Sequence, residues 1–262
     1  MTSFLAEPRE NINLTSLSNP EALRTSLQPG DVLLVEGTSR FSSTIKYLSQ
    51  SCWSHAALYV GDIFSSEEAA PNDPNVFIEA DIIEGVRAVP LSTFTPYGTR
   101  ICRPVGLNTD EIQAMISHLQ SRMGQQYDLK NILDLARYLI QTPPVPVQWR
   151  RRLLGLGSGD PTKAICSSLL AEAFQIVRYP ILPMVEYAAI EGGKKTLRQR
   201  EILHIRHHSL YTPADFDVSP YFRIIKPTIE SGFDPHKLDW GEGTPESIVP
   251  HTRTGWRKFW RY

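Results

Sequence analysis

The chain has 262 residues, 41% of them hydrophobic, and a formal net charge of -1 at pH 7. This length allows one large core or two small domains, and the near-neutral charge gives no reason to expect a nucleic-acid partner. Three cysteines, Cys52, Cys102 and Cys166, are too few for a disulfide framework, and no Cys-x-x-Cys pair indicates a zinc site, so we expect a reducing compartment.

Targeting signals are not evident in the chain. Glu7 and Arg9 interrupt the N-terminal segment before a signal-peptide core can form. No run approaches the roughly 20 apolar residues that a membrane-spanning helix needs. We therefore expect a cytoplasmic protein without a transmembrane segment, and leave export without a leader open.

The chain order of residue patterns predicts one central domain. Residues 1–26 lack clear periodicity and are interpreted as an N-terminal extension that caps or wraps the domain. The domain itself is expected over residues 27–228, with a polar, basic insertion at about 191–208. Residues 229–262 are rich in proline, glycine and charge, and are interpreted as a C-terminal tail.

Short apolar segments bounded by turn residues predict the strands of this domain. They lie at 31–36, 55–60, 76–81, 86–89, 99–103 and, late in the chain, 221–226. The spacing of apolar residues predicts a helix over 41–49, between the first two strands. The pattern indicates an antiparallel meander whose apolar face packs on helices, and hence an α+β fold.

Helical patterns follow the meander. Asn108 with Glu111 three residues later is typical of a capping box, and it precedes apolar residues at helical spacing. A second helix is predicted over 131–139 and an exposed loop over 148–159. A third helix is expected from about Thr162, and its N-cap is either Thr162 or Asp160.

Three residues in this layout form a candidate catalytic set. They are His55 in Trp-Ser-His-Ala-Ala-Leu-Tyr-Val-Gly, Glu79 in Phe-Ile-Glu-Ala-Asp, and Cys166 in Ile-Cys-Ser-Ser-Leu-Leu. Strand alternation places His55 with Ala57 on one face and Glu79 on the matching face of the next strand. If the two strands are neighbours, His55 and Glu79 lie within cross-strand reach of each other.

This set has the chemistry of acyl transfer. A thiol attacks well only as thiolate, so Cys166 needs an imidazole partner, which His55 supplies. Glu79 then holds the other ring nitrogen and fixes the tautomer. Each residue also has a structural interpretation, because a helical cysteine is more often packing and a strand glutamate usually faces solvent. We interpret Cys52 and Cys102 as packing residues.

A histidine cluster, His204, His207 and His208, is a further candidate for a metal site. Helical spacing would place His204 and His208 on one face. No cysteine lies nearby in the sequence, and we expect neither a metal ion nor another cofactor.

Five segments carry a family resemblance. They are Gly-Asp-Val-Leu-Leu at 30–34, the motif at 53–61, Phe-Ile-Glu-Ala at 77–80 with Gly-Val at 85–86, Gly-Gln-Gln-Tyr-Asp at 124–128, and Cys-Ser-Ser-Leu-Leu at 166–170. Together they resemble the permuted papain-like amidases of the YiiX/YebB type, which are relatives of the NlpC-like cell-wall peptidases. The resemblance covers roughly residues 28–228.

This resemblance implies a circularly permuted papain-like (NlpC-like) fold, in which the histidine strand precedes the nucleophile helix. A triad is defined by geometry rather than chain order, so it survives the permutation. The resemblance implies Cys166 as nucleophile, His55 as base and Glu79 as orienting acid. It also implies Tyr127 beside the nucleophile as a substrate or oxyanion residue, and Ser54 and Ser167, which flank the histidine and cysteine, are further candidates for that role.

Three functions are compatible with the set. The first is a cysteine hydrolase, of peptidase or amidase type, acting on a peptide, isopeptide or lipid amide through a thioester. The second is an acyltransferase, or a lipid ester or amide hydrolase, resembling the lecithin:retinol acyltransferase group. The third is an inactive module that binds a peptide or lipid. We favour the first, because binding alone does not require all three residue types. The oligomeric state stays open.

Overall fold

A computed structural model describes residues 19–64, 73–81, 83–126, 165–189 and 199–238. The chain divides into two compact units, residues 1–231 and 232–262. In the second unit, the described residues include a 3₁₀ turn at Pro235–Lys237, where the Asp234 side chain accepts a hydrogen bond from the backbone N–H of His236. The candidate site lies in the first unit.

The described part of the first unit contains eight strands and six α-helices. In chain order they are α1 (Pro20–Ser26), β1 (Val32–Glu36), α2 (Arg40–Ser49), β2 (His55–Tyr59), β3 (Asn75–Asp81), β4 (Gly85–Pro90), β5 (Gly98–Pro104), α3 (Thr109–Ser121), α4 (Ile165–Ile176), β6 (Met184–Ala189), β7 (Gln199–His204), α5 (Pro213–Asp217), β8 (Phe222–Ile225) and α6 (Pro227–Glu230). Within these described residues, no helix is long and apolar enough to cross a membrane.

Six of the strands form one sheet, in the order β4-β3-β2-β1-β5-β8. Every neighbouring pair in it is antiparallel. Strands β1 to β4 are joined in chain order, and β5 then returns to the free side of β1. The predicted α+β fold, with an antiparallel sheet packed against helices, is confirmed.

Both faces of the sheet are buried. On one face, Leu34, Leu58 and Ile78 pack in a core shared with residues of α3 and α4. On the other face, Leu33, Phe77 and neighbouring residues pack with Leu23 and Leu27, which lie in and just after α1. The face that bears His55 and Glu79 is thus mostly a second core, and these two polar residues lie toward one end of β2 and β3.

The sequence patterns placed the sheet strands within two residues of their observed ends. The predicted capping box is also confirmed: Glu111 N–H binds Asn108 Oδ1 at 2.9 Å, and Asn108 N–H binds Glu111 Oε2 at 2.9 Å. The predicted helix over 131–139, the loop over 148–159 and the two candidate caps, Asp160 and Thr162, lie outside the described residues.

Two elements were not predicted from the sequence. Part of the expected N-terminal extension forms α1, which Asn19 caps, and Leu23 of this helix is 2% exposed. Part of the expected insertion forms β7, which pairs with β6 in a two-stranded antiparallel sheet. His204 therefore ends a strand, and His204 and His208 do not lie on one helix.

Gly85, at the start of β4, allows the segment before Tyr127 to approach the sheet. Its φ is +77°, and a Cβ there would lie 2.2 Å from the carbonyl oxygen of Gln125. Two backbone hydrogen bonds make this approach: Val86 N–H binds Gln125 O at 3.0 Å, and Gly124 N–H binds Val86 O at 2.8 Å. The sheet edge at β4 is thereby paired with residues 124–125.

We expect Gly85→Ala to lower the free energy of unfolding by about 2 kcal/mol or more, because the left-handed backbone and the clash with a carbonyl add together. Gly106→Ala is the matched control: φ is +86° there, and no described atom lies within 4 Å of the point that an alanine Cβ would occupy. Its cost should be about 1–2 kcal/mol. Urea denaturation of both variants measures the difference, and equal losses would contradict the contact with Gln125.

Candidate active site

His55 and Glu79 form a hydrogen-bonded pair across neighbouring strands. His55 is the first residue of β2, and the register pairs Ala57 directly with Glu79 of β3. Glu79 is therefore a diagonal neighbour of His55 on the same face, which is the placement that strand alternation predicted. His55 Nε2 lies 2.6 Å from Glu79 Oε2.

Arg87 binds the second oxygen of the same carboxylate. Its Nε and Nη2 each lie 2.9 Å from Glu79 Oε1. The two residues are direct partners in the β3-β4 ladder, so the register of the hairpin brings them together. Sequence reasoning missed Arg87. The signal that could have found Arg87 was its spacing. Gly85, the turn glycine, lies six residues after Glu79, and Arg87 lies two residues after Gly85. In a tight hairpin this spacing places Arg87 opposite Glu79.

The Glu79 carboxylate is buried, with a side chain that is 4% exposed. Burial alone would raise the pKa of this carboxyl, but the hydrogen bond and charge of His55, followed by the charge and hydrogen bond of Arg87, lower it below its ordinary value. Glu79 is therefore an anion near neutral pH, with one cationic or donating partner on each oxygen.

Cys166 reaches His55 from the other side of the sheet. It is the second residue of α4, is 4% exposed, and belongs to the core on the opposite face from Glu79. Its charge and hydrogen bonding act on the imidazole of His55. Because Glu79 occupies Nε2, Nδ1 is the ring nitrogen that remains for Cys166. The two residues therefore meet where β2 and α4 begin.

The pKa of His55 is strongly perturbed by these two neighbours. Burial acts to lower the pKa of the imidazole, but the charge and hydrogen bond of Cys166, and then those of Glu79, outweigh it and raise the pKa to about 10. Protonated His55 is thus stabilised on both ring nitrogens. Its side chain is 24% exposed, so the imidazolium remains accessible to a reacting group.

Phe94 covers the ring on the core side. Its ring centroid lies 6.2 Å from that of His55, with the planes tilted by 31°, and Phe94 is 2% exposed. Phe77 packs edge-on against Phe94, with ring centroids 5.2 Å apart. This aromatic wall restricts the rotation of His55 and keeps water from that side of the imidazole.

Two of the three candidate oxyanion residues, Ser54 and Ser167, have hydroxyls that are hydrogen-bonded to backbone groups. Ser54 is buried, and its hydroxyl accepts the Gly37 N–H at 2.9 Å. Ser167 is buried as well, and its hydroxyl donates to the carbonyl of Tyr211 at 2.8 Å. The Ser54 hydroxyl thus ties Gly37, just after β1, to the residue before β2, and the Ser167 hydroxyl ties Tyr211 to α4. Tyr127 lies outside the described residues.

The two other cysteines lie in different environments. Cys102 is buried in β5, and burial raises the pKa of its thiol. Cys52 is exposed, and partial burial of its thiol followed by the charge of Glu36 raises its pKa. The groups that act on these two thiols are carboxylates, Arg100 and the backbone rather than an imidazole, so neither shares the environment of Cys166.

The histidine cluster does not gather around one point. His204 Nε2 lies 2.8 Å from Glu186 Oε2 across the β6-β7 pair, whereas His207 stacks on His208 with ring centroids 4.1 Å apart. Across the described ranges, no group of three or more histidine, cysteine, aspartate or glutamate side chains is arranged to hold a metal ion.

Comparison with known proteins shows which family part of the chain resembles. Residues 26–138 match the model of a family described as permuted papain-like amidase enzymes, YaeF/YiiX, C92 family. The predicted resemblance to the permuted papain-like amidases is confirmed. The matched segment includes His55, Glu79 and Arg87 but ends before Cys166. It is less than half of the 262 residues.

A solved structure is also similar to the chain. It is described as metalloprotein yiiX from Escherichia coli O157:H7, and it is 14% identical, with 77% of this chain and 97% of that chain covered and a TM-score of 0.42. No curated protein matches the chain at a significant level. The described residues form an α+β fold, and residues 26–138 resemble a family described as permuted papain-like amidases.

Proposed function

We propose that this protein is a cysteine hydrolase that cleaves amide bonds through a thioester intermediate. Cys166 is the nucleophile, His55 the general base and Glu79 the orienting acid. The observation that carries the proposal is that two residues act on His55: Glu79 Oε2 lies 2.6 Å from Nε2, and Cys166 acts on the ring through charge and hydrogen bonding. Cys-His pairs oriented by a third group are the usual arrangement for an activated thiol.

The reacting form of the site is a Cys166 thiolate beside protonated His55, formed when the thiol proton passes to the imidazole before the substrate binds. The thiolate attacks the carbonyl carbon of the amide, and a C–S bond forms as the carbonyl oxygen becomes an oxyanion. When the tetrahedral intermediate collapses, the C–N bond breaks and His55 gives its proton to the leaving amine. The acyl group is then held on Cys166 as a thioester.

Water completes the cycle. His55, now neutral, takes a proton from water as its oxygen attacks the thioester carbonyl, and the C–S bond breaks to release a carboxylic acid and the thiolate. Glu79 keeps the imidazole in one tautomer and stabilises its cationic form throughout. The position of Cys166 in the first turn of α4 also favours negative charge, because the N-terminal N–H groups of a helix are unpaired.

The substrate class proposed is a peptide-type amide. The amidase description of the matched family supports amide cleavage, and the buried thiol supports a narrow approach by an extended chain rather than a bulky group. Tyr127 is proposed to assist the oxyanion, as the family resemblance implies. Gln125, two residues before it, is hydrogen-bonded to β4, which places the start of this segment at the sheet edge.

The test is the reactivity of the three cysteines toward iodoacetamide at pH 6. An ordinary thiol is less than about 1% thiolate at this pH, whereas a thiolate-imidazolium pair reacts as a thiolate. We expect Cys166, although 4% exposed, to be alkylated faster than the exposed Cys52 and the buried Cys102. Peptide mapping by mass spectrometry gives the three rates in one sample.

His55→Ala completes the test. It should slow alkylation of Cys166 about 100-fold at pH 6, because the thiol then loses its proton acceptor. The rates of Cys52 and Cys102 should be unchanged and serve as internal controls. If Cys52 reacts fastest in the wild type, or if His55→Ala leaves the Cys166 rate unchanged, the proposed catalytic pair is wrong.

A further inference from the structure

Arg87 connects the candidate triad to the outer end of the β3-β4 hairpin. Its guanidinium contacts three carboxylates. It binds Glu79 Oε1 through Nε and Nη2, its Nη1 pairs with Glu84, and its Nη2 lies 3.8 Å from Asp81 Oδ2. Glu84 is 61% exposed and Glu79 is 4% exposed, so Arg87 spans the distance from solvent to the buried carboxylate.

The two oxygens of Glu79 are divided between two partners. Oε1 accepts from Arg87, and Oε2 pairs with His55. A carboxylate held at one oxygen by two guanidinium N–H groups cannot rotate about its terminal bond without losing charge-assisted hydrogen bonds. The direction of Oε2, and hence the tilt of the His55 ring, is therefore set from the Arg87 side.

We propose that Arg87 is a positioning residue of the active site, which locks the Glu79 carboxylate so that Oε2 orients His55 toward Cys166. Arg87 acts through Glu79 rather than through the thiol or the imidazole. This inference rests on the proposed Cys-His-Glu function. It adds Arg87, which lies directly opposite Glu79 in the β3-β4 ladder, as a fourth residue of the proposed active site.

The charged surroundings determine the direction of the effect. The groups facing the Glu79–Arg87 pair are His55 of β2, Asp81 of β3 and Glu84 of the turn, with Cys166 of α4 beyond His55. Removing Arg87 leaves Asp81 and Glu84 as uncompensated negative charges near Glu79. Both the lost cation and these anions make the Glu79 carboxylate easier to protonate.

Replacing Arg87 should shift the acidic limb of the pH profile for Cys166 alkylation. In the wild type the pKa of Glu79 is lowered, so the carboxylate supports the imidazolium down to acidic pH. In Arg87→Gln, protonation of Glu79 moves upward by about one to two pH units. The imidazolium loses its partner in that range, and the pH midpoint for Cys166 alkylation by iodoacetamide should rise with it.

Arg103→Gln is the matched control. Arg103 also binds a buried carboxylate through Nε and Nη2, at 2.8 Å and 2.7 Å from Asp31, and Asp31 is 1% exposed. It lies on β5 of the same sheet, and its hydrogen bonds go to Asp31 and a backbone carbonyl rather than to the triad. Both variants should lose stability in urea. The alkylation profile should shift only in Arg87→Gln, because a purely structural loss does not move a titration midpoint.

Arg87→Lys separates charge from geometry. A lysine keeps the cation but lacks the planar fork. We therefore expect Arg87→Lys to shift the midpoint of Cys166 alkylation less than Arg87→Gln does, and to leave the alkylation rate below that of the wild type. The carboxyl ¹³C shift of Glu79, followed against pH, should show the same order: Arg87→Gln highest, Arg87→Lys intermediate, wild type lowest.

The outcomes are separable. If wild-type Cys166 is not more reactive than Cys52, the triad itself fails. If wild-type Cys166 is reactive but Arg87→Gln has the wild-type midpoint and the wild-type Glu79 titration, the triad stands and the role of Arg87 is wrong. The same conclusion follows if Arg103→Gln shifts the midpoint as much as Arg87→Gln does.

Discussion

Cys166→Ala should abolish turnover, with a fall in kcat of about 10⁴-fold or more, because Cys166 supplies the proposed nucleophile that acts on His55. The generic acyl donor 4-nitrophenyl acetate provides the assay. Wild-type protein should release 4-nitrophenol in a burst, followed by a slower steady rate set by thioester hydrolysis. Intact mass spectrometry should find one acetyl group on the wild type and none on the variant.

Cys166→Ser tests whether the thiol, rather than the shape of the side chain, is required. An alcohol is far harder to ionise than a thiol, so the introduced hydroxyl would remain protonated beside His55 and turnover should be severely impaired. The serine side chain fills nearly the same volume in a site that is 4% exposed, so packing losses should be small.

The controls for these variants separate chemistry from folding. Both should retain the wild-type circular dichroism spectrum and unfold cooperatively, because alanine and serine are tolerated in a helix. Cys52→Ser is the matched cysteine control and should keep full activity, since Cys52 is exposed and lies outside the triad. A clean Cys166→Ala variant with near wild-type turnover would remove Cys166 from the mechanism.

The fate of the acyl group distinguishes hydrolysis from transfer. A hydrolase releases the thioester to water at a rate that added amines or alcohols change little, whereas an acyltransferase releases it faster with its acceptor present. The acetyl form of Cys166 made with 4-nitrophenyl acetate is a suitable starting point. Its rate of loss, with and without a candidate acceptor, identifies the second half of the reaction.

Strand alternation made half of the candidate site predictable. The period of two in a strand fixes which side chains share a face, so His55 and Glu79 could be paired before their strands were known to be neighbours. The diagonal contact at 2.6 Å matches that expectation. Cys166 was harder to place, because its contact with the distant His55 depends on how α4 packs on the sheet, which no local pattern encodes.

Arg87 and the β6-β7 pair show why local patterns miss some features. Arg87 was overlooked because an arginine in a strand usually faces solvent, and its contact with Glu79 follows from the register of a hairpin rather than from composition. The β7 strand was overlooked because Gln199–His204 mixes charged and apolar residues without strict alternation. Helix α1 has only seven residues, too few for a helical period to stand out.

The pH dependence should be as diagnostic as the mutations. With a pKa of about 10, His55 remains protonated through neutral pH. We therefore expect kcat/KM to fall on the alkaline side with an apparent pKa near 10. The linked stability has the same sign: it is fully present below about 6.5, the ordinary pKa of histidine, and is lost as pH rises through about 10.

Glu79 contributes on the acidic side. Its pKa is lowered in the folded protein, so the stability that it contributes is present above its ordinary pKa of 4.5 and is lost as pH falls through the lowered value. Between these two limits Glu79 and His55 are both charged, and the site should be most stable.

Glu79→Gln separates the two causes of the raised histidine pKa. Glutamine keeps an oxygen for the ring but not the charge, so the pKa of His55 should fall, and the alkaline limb of kcat/KM should move toward neutral pH. The base and nucleophile remain, so the loss in kcat should be about two orders of magnitude smaller than that of removing Cys166. Cys166→Ala should lower the pKa of His55 further, because Cys166 raises this pKa more than Glu79 does.

Nuclear magnetic resonance titration of the imidazole ring checks this order directly. The chain has seven histidines, and the resonance missing from His55→Gln assigns the one of interest. We expect the midpoint to decrease from wild type to Glu79→Gln to Cys166→Ala. A His55 midpoint near 6.5 in the wild type, or one that neither variant lowers, would show that the imidazole is not held between thiolate and carboxylate, and the proposed ion pair would have to be abandoned.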